Sequence, residues 1–198
     1  MFVALLTVAA CYLIGAVPFP IIVSRLVKGI DIREHGSGNM GAMNIARVLG
    51  KQWFPVVFGL DFAKGALAAL VGRMLLPDQL GVDPVVAAAI GAFAAVVGHC
   101  YPVYVGFKGG LGLAASAGAL FVISPWLMLV VAVSILPLWA LTRDMYVGVA
   151  LAAVGAPGLT WLFFRDGQVV LAVAVWALVV VIVHVPDVRA WYARLRQS

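Results

Sequence analysis

Long apolar runs leave this chain few folds to choose from. They cover 2–24, 53–74, 84–105, 111–124, 126–142, 146–164 and 168–185 of its 198 residues. A helix rises about 1.5 Å per residue, so about 20 apolar residues cross the ~30 Å hydrocarbon core of a bilayer. Six runs approach that length. The fourth covers only about 20 Å at that rise and reads as a short or tilted helix, or else as a re-entrant or interfacial segment. The chain is 65 % hydrophobic and 11 % charged, against about a quarter charged in soluble domains. It therefore cannot cover a water-facing surface. The expected fold is all-α: a polytopic membrane protein of about seven transmembrane helices, the fourth short. No linker, low-complexity tract or repeat divides 1–198, so a single domain is expected.

The cations lie in the segments between the runs. Loop 25–51 carries Arg25, Lys28, Arg33, Arg47 and Lys51 against Asp31 and Glu34. Loop 75–83 carries Asp78 and Asp83, Lys108 follows the third run, and the tail holds Arg189, Arg194 and Arg196. With seven spans every Lys/Arg-rich segment falls on one side. The positive-inside rule then places the N-terminus outside and the C-terminus in the cytoplasm. This distribution also argues against nucleic acid as the reason for the net charge of +5. The first run is too long for a signal-peptide core and is expected to stay as a helix. Cys11 and Cys100 lack metal-like spacing and read as packed thiols.

Three polar segments fall on that same side and suggest one composite site. "HGSGNMGAMNIARVLGK", His35 to Lys51, follows one apolar run and precedes another. Its glycines permit close backbone approach and positive φ. Ser37, Asn39 and Asn44 supply donors, and Arg47 supplies a planar fork suited to phosphate. A helix cap and tight turn, with Arg47 reaching lipid headgroups, accounts for the same residues. "GFKGGLGLAASAG" presents Lys108, Gly109, Gly110 and Gly112 before a helix N-terminus, an anion-binding arrangement. Its later small residues equally suit close helix packing. "DFAKG" puts Asp61 and Lys64 on one face of a membrane helix, where charges are costly. They either neutralise each other or support the site. His99 is a site donor or an interfacial polar residue. His184 and Asp187, three apart, suit proton transfer, or else mark a helix exit with Pro186 as breaker.

Taken in order, "DIREHGSGNMGAMNIARVLGK", "DFAKG", "GHCYPVYVGFKGGLGLA" and a late His before a basic tail resemble the bacterial membrane acyl-phosphate:glycerol-3-phosphate acyltransferase family. The resemblance implies seven membrane helices in the bacterial inner (cell) membrane and a cytoplasm-facing site. The implied reaction moves a fatty acyl group from acyl phosphate to the 1-hydroxyl of glycerol-3-phosphate, giving lysophosphatidic acid. The implied partners are those two substrates and membrane lipid, with no metal, no cofactor and no obligatory protein partner. Ser37 and Arg47 would hold phosphate, with Gly36, Gly38, Asn39 and Asn44 shaping the loop. Lys108, Gly109, Gly110 and Gly112 match the second motif, and His184 the third. Ser37, His184 and Asp187 are the candidate catalytic groups. Ser37 has no adjacent base in sequence, so a substrate phosphate or the His184–Asp187 pair would accept the proton. The pattern departs from the family at Met43 for Thr, Leu111 for Lys, Ala115 for Thr, Pro186 for Glu and Asp187 for Asn. A catalytically silent lipid- or phosphate-binding paralogue, or an acyltransferase with a less anionic acceptor, fits those departures.

Overall fold

The computed structural model describes residues 1–196. They are helical throughout, with no strand among them, and separate into two compact units, Met1–Val122 and a second from Ile123 on.

In the first unit, α1 (Phe2–Ala16) and α2 (Phe19–Lys28) divide a run expected to be one helix. Pro18 and Pro20 explain the break, because proline removes a backbone donor and cannot continue the helix it follows. The Val17 carbonyl at the break accepts from Phe19 N–H at 3.1 Å and from Lys64 Nζ at 2.8 Å. A cation at a helix C-terminus is also favoured by the helix dipole. α2 ends at Gly29 with φ +67°, the left-handed cap that glycine adopts without strain. A 3₁₀ turn (Ile32–Glu34) and α3 (Ala42–Leu49) follow. Lys28 Nζ donates to Val48 O at the end of α3, at 2.6 Å.

α4 (Trp53–Leu75), the short α5 (Pro77–Leu80) and α6 (Pro84–Cys100) come next, and Asp83 caps α6 by accepting from Val85 N–H at 2.7 Å. α6 belongs to the most thoroughly buried of the membrane spans. Its buried face is alanine and glycine, including Ala87, Ala88, Gly91, Ala95 and Gly98. Lipid supplies no hydrophobic drive between helices, so small residues that let backbones approach hold such helices together. The approach is close: a Cβ on Gly15 would strike Ala95, and one on Gly72 would strike Ala87 and Gly91. After a 3₁₀ turn (Val103–Val105) comes α7 (Leu113–Ile123).

α8 (Pro125–Thr142), α9 (Met145–Phe164) and α10 (Gly167–Leu195) form the second unit. Their connections are nearly identical. Arg143 and Arg165 take left-handed φ (+56° and +52°) and close one helix. Asp144 and Asp166 then cap the next by accepting from its first backbone N–H groups.

Among the described residues, six segments are long and apolar enough to cross a membrane: Phe2–Lys28, Trp53–Leu75, Pro84–Val105, Pro125–Thr142, Met145–Phe164 and Gly167–Leu195. The fourth apolar run yields the 11-residue α7, about 16 Å long at 1.5 Å per residue. It is therefore not counted among the six. Glycine turns consume its start, where Gly112 has φ +82°, and Ser124–Pro125 ends it by capping α8. α10 differs in the opposite sense. It runs through Pro186 to Leu195 instead of ending near 185. A proline costs a helix one hydrogen bond and some bending, and neighbouring contacts can carry that cost. Here Trp191 Nε1 donates to Thr142 O at 2.8 Å, and Arg194 pairs with Asp144.

Candidate active site

The glycine loop is built around one side chain. Asn44 is buried on α3. Its Oδ1 accepts from the Ser37 N–H at 2.9 Å. Its Nδ2 reaches His35 O and Asn39 O at 3.0 Å each, and Ile32 O at 3.3 Å. The whole amide is thus spent on holding residues 32–39 in place. Gly36 (φ +64°) and Gly38 (φ +71°) allow the tight path, and a Cβ on Gly36 would strike the Asn44 amide. Ser37 is left exposed at the crest, and Asn39 is half-buried. Arg47, three residues after Asn44, is exposed on α3 with no carboxylate paired to it among the described residues.

A second residue ties this loop to the next. Arg33 donates to Asp31 through both Nε (3.0 Å) and Nη2 (2.8 Å). Its Nη1 donates to Val105 O at 3.1 Å, 72 residues along the chain. The two loops therefore sit at the same end of the unit. Between them lies a cavity of about 380 Å³ lined by Arg33, Glu34, Gly38, Met40, Lys108 and Gly109. Gly38, Lys108 and Gly109 were expected at such a site. Arg33 and Glu34 counted in the sequence only as loop charges, and Met40 gave no signal. An Asp two residues before an Arg at a turn is an Asx-turn pattern, and it marks Asp31 and Arg33 as a fixed pair.

The Arg33 side chain, hydrogen-bonded to Asp31, holds that carboxyl at about 2, below the ordinary ~3.9. A depressed carboxylate stabilises the fold fully above its unfolded value, and the contribution is lost as pH falls through the folded one. Amide exchange of residues 29–41, corrected for intrinsic rate, should stay slow down to about pH 4 and rise between about pH 4 and 2. Asp31→Asn should abolish that step; an unchanged step would assign it to another group.

The Lys-Gly-Gly turn folds back on the end of α6. Gly109 N–H donates to Cys100 O at 3.1 Å, and Gly110 N–H to His99 O at 3.2 Å. These two amides point into the protein, so neither is offered to the cavity, which Lys108 lines. Gly112 is buried beside Cys100 and Val96. Below the turn lies a buried charged cluster. Lys64 Nζ is 2.8 Å from Asp61 Oδ1, and His99 Nδ1 is 3.6 Å from the same oxygen. All three residues are buried.

His184 and Asp187 belong to the second unit. His184 is fully buried on α10, its Nδ1 2.7 Å from Val180 O and its ring 6.3 Å from that of Tyr146. Its Nε2 has no hydrogen-bond partner among the described residues. Asp187 is half-buried one turn further on.

Fold and loops together define a multi-pass integral membrane protein with a glycine-shaped cavity, lined by Arg33, Lys108 and Glu34 among its charged groups, at one end of its first unit. The family model described as glycerol-3-phosphate acyltransferase matches residues 5–194, and the chain belongs to that family. A glycerol-3-phosphate acyltransferase of Anaeromyxobacter sp. (strain K) is 44 % identical over 143 residues, covering 72 % of this chain and 70 % of that one. One of Myxococcus xanthus is 41 % identical over 152 residues, covering 75 % and 77 %. The crystal structure of PlsY (YgiH), an integral membrane glycerol 3-phosphate acyltransferase, in its glycerol 3-phosphate form, superposes with a TM-score of 0.82 at 31 % identity. It covers 96 % of this chain and 92 % of that one. Its lysophosphatidic acid form gives 0.81 at 30 %.

Proposed function

We propose that this protein transfers a fatty acyl group from acyl phosphate to the 1-hydroxyl of glycerol-3-phosphate, giving lysophosphatidic acid for phospholipid synthesis. The cavity carries the reading, because it sets the Arg33 and Lys108 cations beside a loop whose glycines admit close approach. The acceptor oxygen attacks the acyl carbonyl, the carbonyl–phosphate oxygen bond breaks, and inorganic phosphate leaves. Lys108 and Arg47 balance the phosphate charge of the bound acceptor. Ser37, at the crest of the loop, offers a hydroxyl donor, with Gly38, Asn39 and Asn44 setting its position. The hydroxyl proton passes to a substrate phosphate. The protein works in the bacterial inner membrane with its N-terminus outside and both site loops in the cytoplasm. The family likeness and the clustered cations support that placement.

The deciding assay gives the purified protein palmitoyl phosphate and radiolabelled glycerol-3-phosphate. Parallel arms use palmitoyl-CoA as donor and glycerol as acceptor. Labelled lysophosphatidic acid from acyl phosphate alone is expected. Transfer from the thioester overturns the donor, transfer to glycerol in preference overturns the acceptor, and no transfer overturns the reaction. Arg47→Ala should weaken glycerol-3-phosphate binding about 10- to 150-fold, the worth of one charged hydrogen bond at about 1.5–3 kcal/mol. Arg47→Lys should recover little, because it keeps the charge and loses the fork. Unchanged binding in Arg47→Ala would reduce that residue to a headgroup anchor.

A further inference from the structure

We propose that His99 is a positioning residue for acyl transfer: its ring, braced by the buried Asp61–Lys64 pair, sets the place of the Lys108–Gly109–Gly110 turn at the cavity. The proposal rests on the functional reading above. Gly110 is wedged between two elements. A Cβ there would strike His99 Nε2 on one side and the Met40 carbonyl, from the glycine loop, on the other. Met40 and Lys108 both line the cavity. The turn is also strapped to the end of α6, through Gly110 N–H to His99 O and Gly109 N–H to Cys100 O. His99 thus meets the turn twice, with its carbonyl and with its ring.

The ring is held from below. Its Nδ1 faces Asp61 Oδ1 at 3.6 Å, and that oxygen is already 2.8 Å from Lys64 Nζ. Lys64 is anchored in turn on Val17 O. A carboxylate, an ammonium and an imidazole buried in membrane helices are costly. An apolar residue of the same size would fill the space under Gly110 without that cost. The Asp61 carboxylate favours the ring orientation that brings Nδ1 toward it, acting through charge at 3.6 Å without a hydrogen bond. The ring then limits where Gly110 and its neighbour Lys108 lie. Met40 O, on the far side of Gly110, keeps the glycine loop in register with the turn.

A residue that acts by placing Lys108 loses its effect once Lys108 is gone. The test is a double-mutant cycle on the full-length enzyme, with acyl phosphate and glycerol-3-phosphate as substrates. His99→Ala should raise the acceptor KM about 10-fold or more and change kcat less than about 3-fold, because uniform binding is what the turn supplies. In a Lys108→Ala background the same change should add less than about 2-fold. His99→Gln, whose amide reaches the Nε2 position, should restore most of the KM, and His99→Phe should not. Additive losses, or full activity in His99→Phe, overturn the proposal. Hydrogen exchange gives a readout that needs no catalysis. Peptides spanning 106–112 should exchange faster in His99→Ala, with those of 84–96 unchanged. Equal acceleration in both regions would make His99 a general packing residue and also overturns the proposal. If Lys108→Ala leaves the acceptor KM unchanged, the role of Lys108 in substrate binding fails, and exchange alone still decides His99. If His99→Ala does not fold, His99→Gln and His99→Phe are compared in the same cycle.

Discussion

Asn44→Asp should abolish acyl transfer more completely than Asn44→Ala, although aspartate is nearly the same size and shape. The reason is the direction of the hydrogen bonds at this site. Nδ2 faces three carbonyl oxygens, those of Ile32, His35 and Asn39. A carboxylate would put negative charge against all three and keep only the bond from Ser37 N–H. Alanine leaves the same carbonyls and also the Ser37 N–H unpaired, but adds no repulsion. An orphaned buried group costs about 1–3 kcal/mol, more when charged. Alanine should therefore cost about 2–4 kcal/mol of loop ordering, an activity loss of about 30- to 1,000-fold if catalysis needs the ordered loop. Aspartate should fall below that at neutral pH and recover partly as the medium is acidified and the new carboxyl protonates. Kinetics of both variants across pH, with exchange of residues 32–39, make the measurement. If Asn44→Asp keeps more activity than Asn44→Ala, the amide is not the frame of the loop.

The largest effect on stability should come from separating Asp61 and Lys64. Both are buried, and each is the other's main partner. Removing one leaves an uncompensated charge in a low-dielectric interior, typically at 3–5 kcal/mol. Total stabilities are commonly only about 5–15 kcal/mol. Asp61→Asn strands the Lys64 ammonium on a single carbonyl, Val17 O. Lys64→Met strands the Asp61 carboxylate against His99 and leaves that carbonyl with Phe19 N–H alone. Each single change should lower the melting temperature in detergent by about 10–20 °C, at several degrees per kcal/mol. The double change, Asp61→Leu with Lys64→Met, should cost much less than the two single losses together, because apolar replacement of a buried pair is often near neutral. Melting curves of the three variants decide it. Small single losses that simply sum in the double variant would show that neither charge depends on the other.

The membrane class was legible because it depends on bulk properties, namely runs of about 20 apolar residues and few charges. The finer architecture depends on single residues whose effect is decided by tertiary contacts. Pro18 breaks the first span and Pro186 does not break the last. Both are prolines in apolar surroundings. Lys64 donates to the carbonyl at the first, while contacts of Trp191 and Arg194 hold the helix beyond the second. Hydropathy cannot see those partners. The Gly-rich loops were legible as candidate ligand surfaces, but composition does not say where an N–H points. The Gly109 and Gly110 amides turn inward to α6, and the Asn44 amide is spent on its own loop. Arg33 was a counted charge in the sequence. Its value as a link to Val105 comes from a pairing across 72 residues, beyond the reach of any local pattern.

Biogenesis imposes an order on the Lys64–Val17 bond. The broken first span emerges from the ribosome with the Val17 carbonyl held only by Phe19 N–H, and its charged donor lies 47 residues further on. At about 5–20 residues per second, translation takes about 2–10 s to deliver it. Until then α1 and α2 are two helices whose joint lacks the Lys64 contact. The arrival of α4 closes the joint and brings the Asp61 carboxylate into the same space. The first span thus remains provisional until the second arrives, and a ribosome pause between Val17 and Lys64 lengthens the time this nascent chain is open to quality-control proteases.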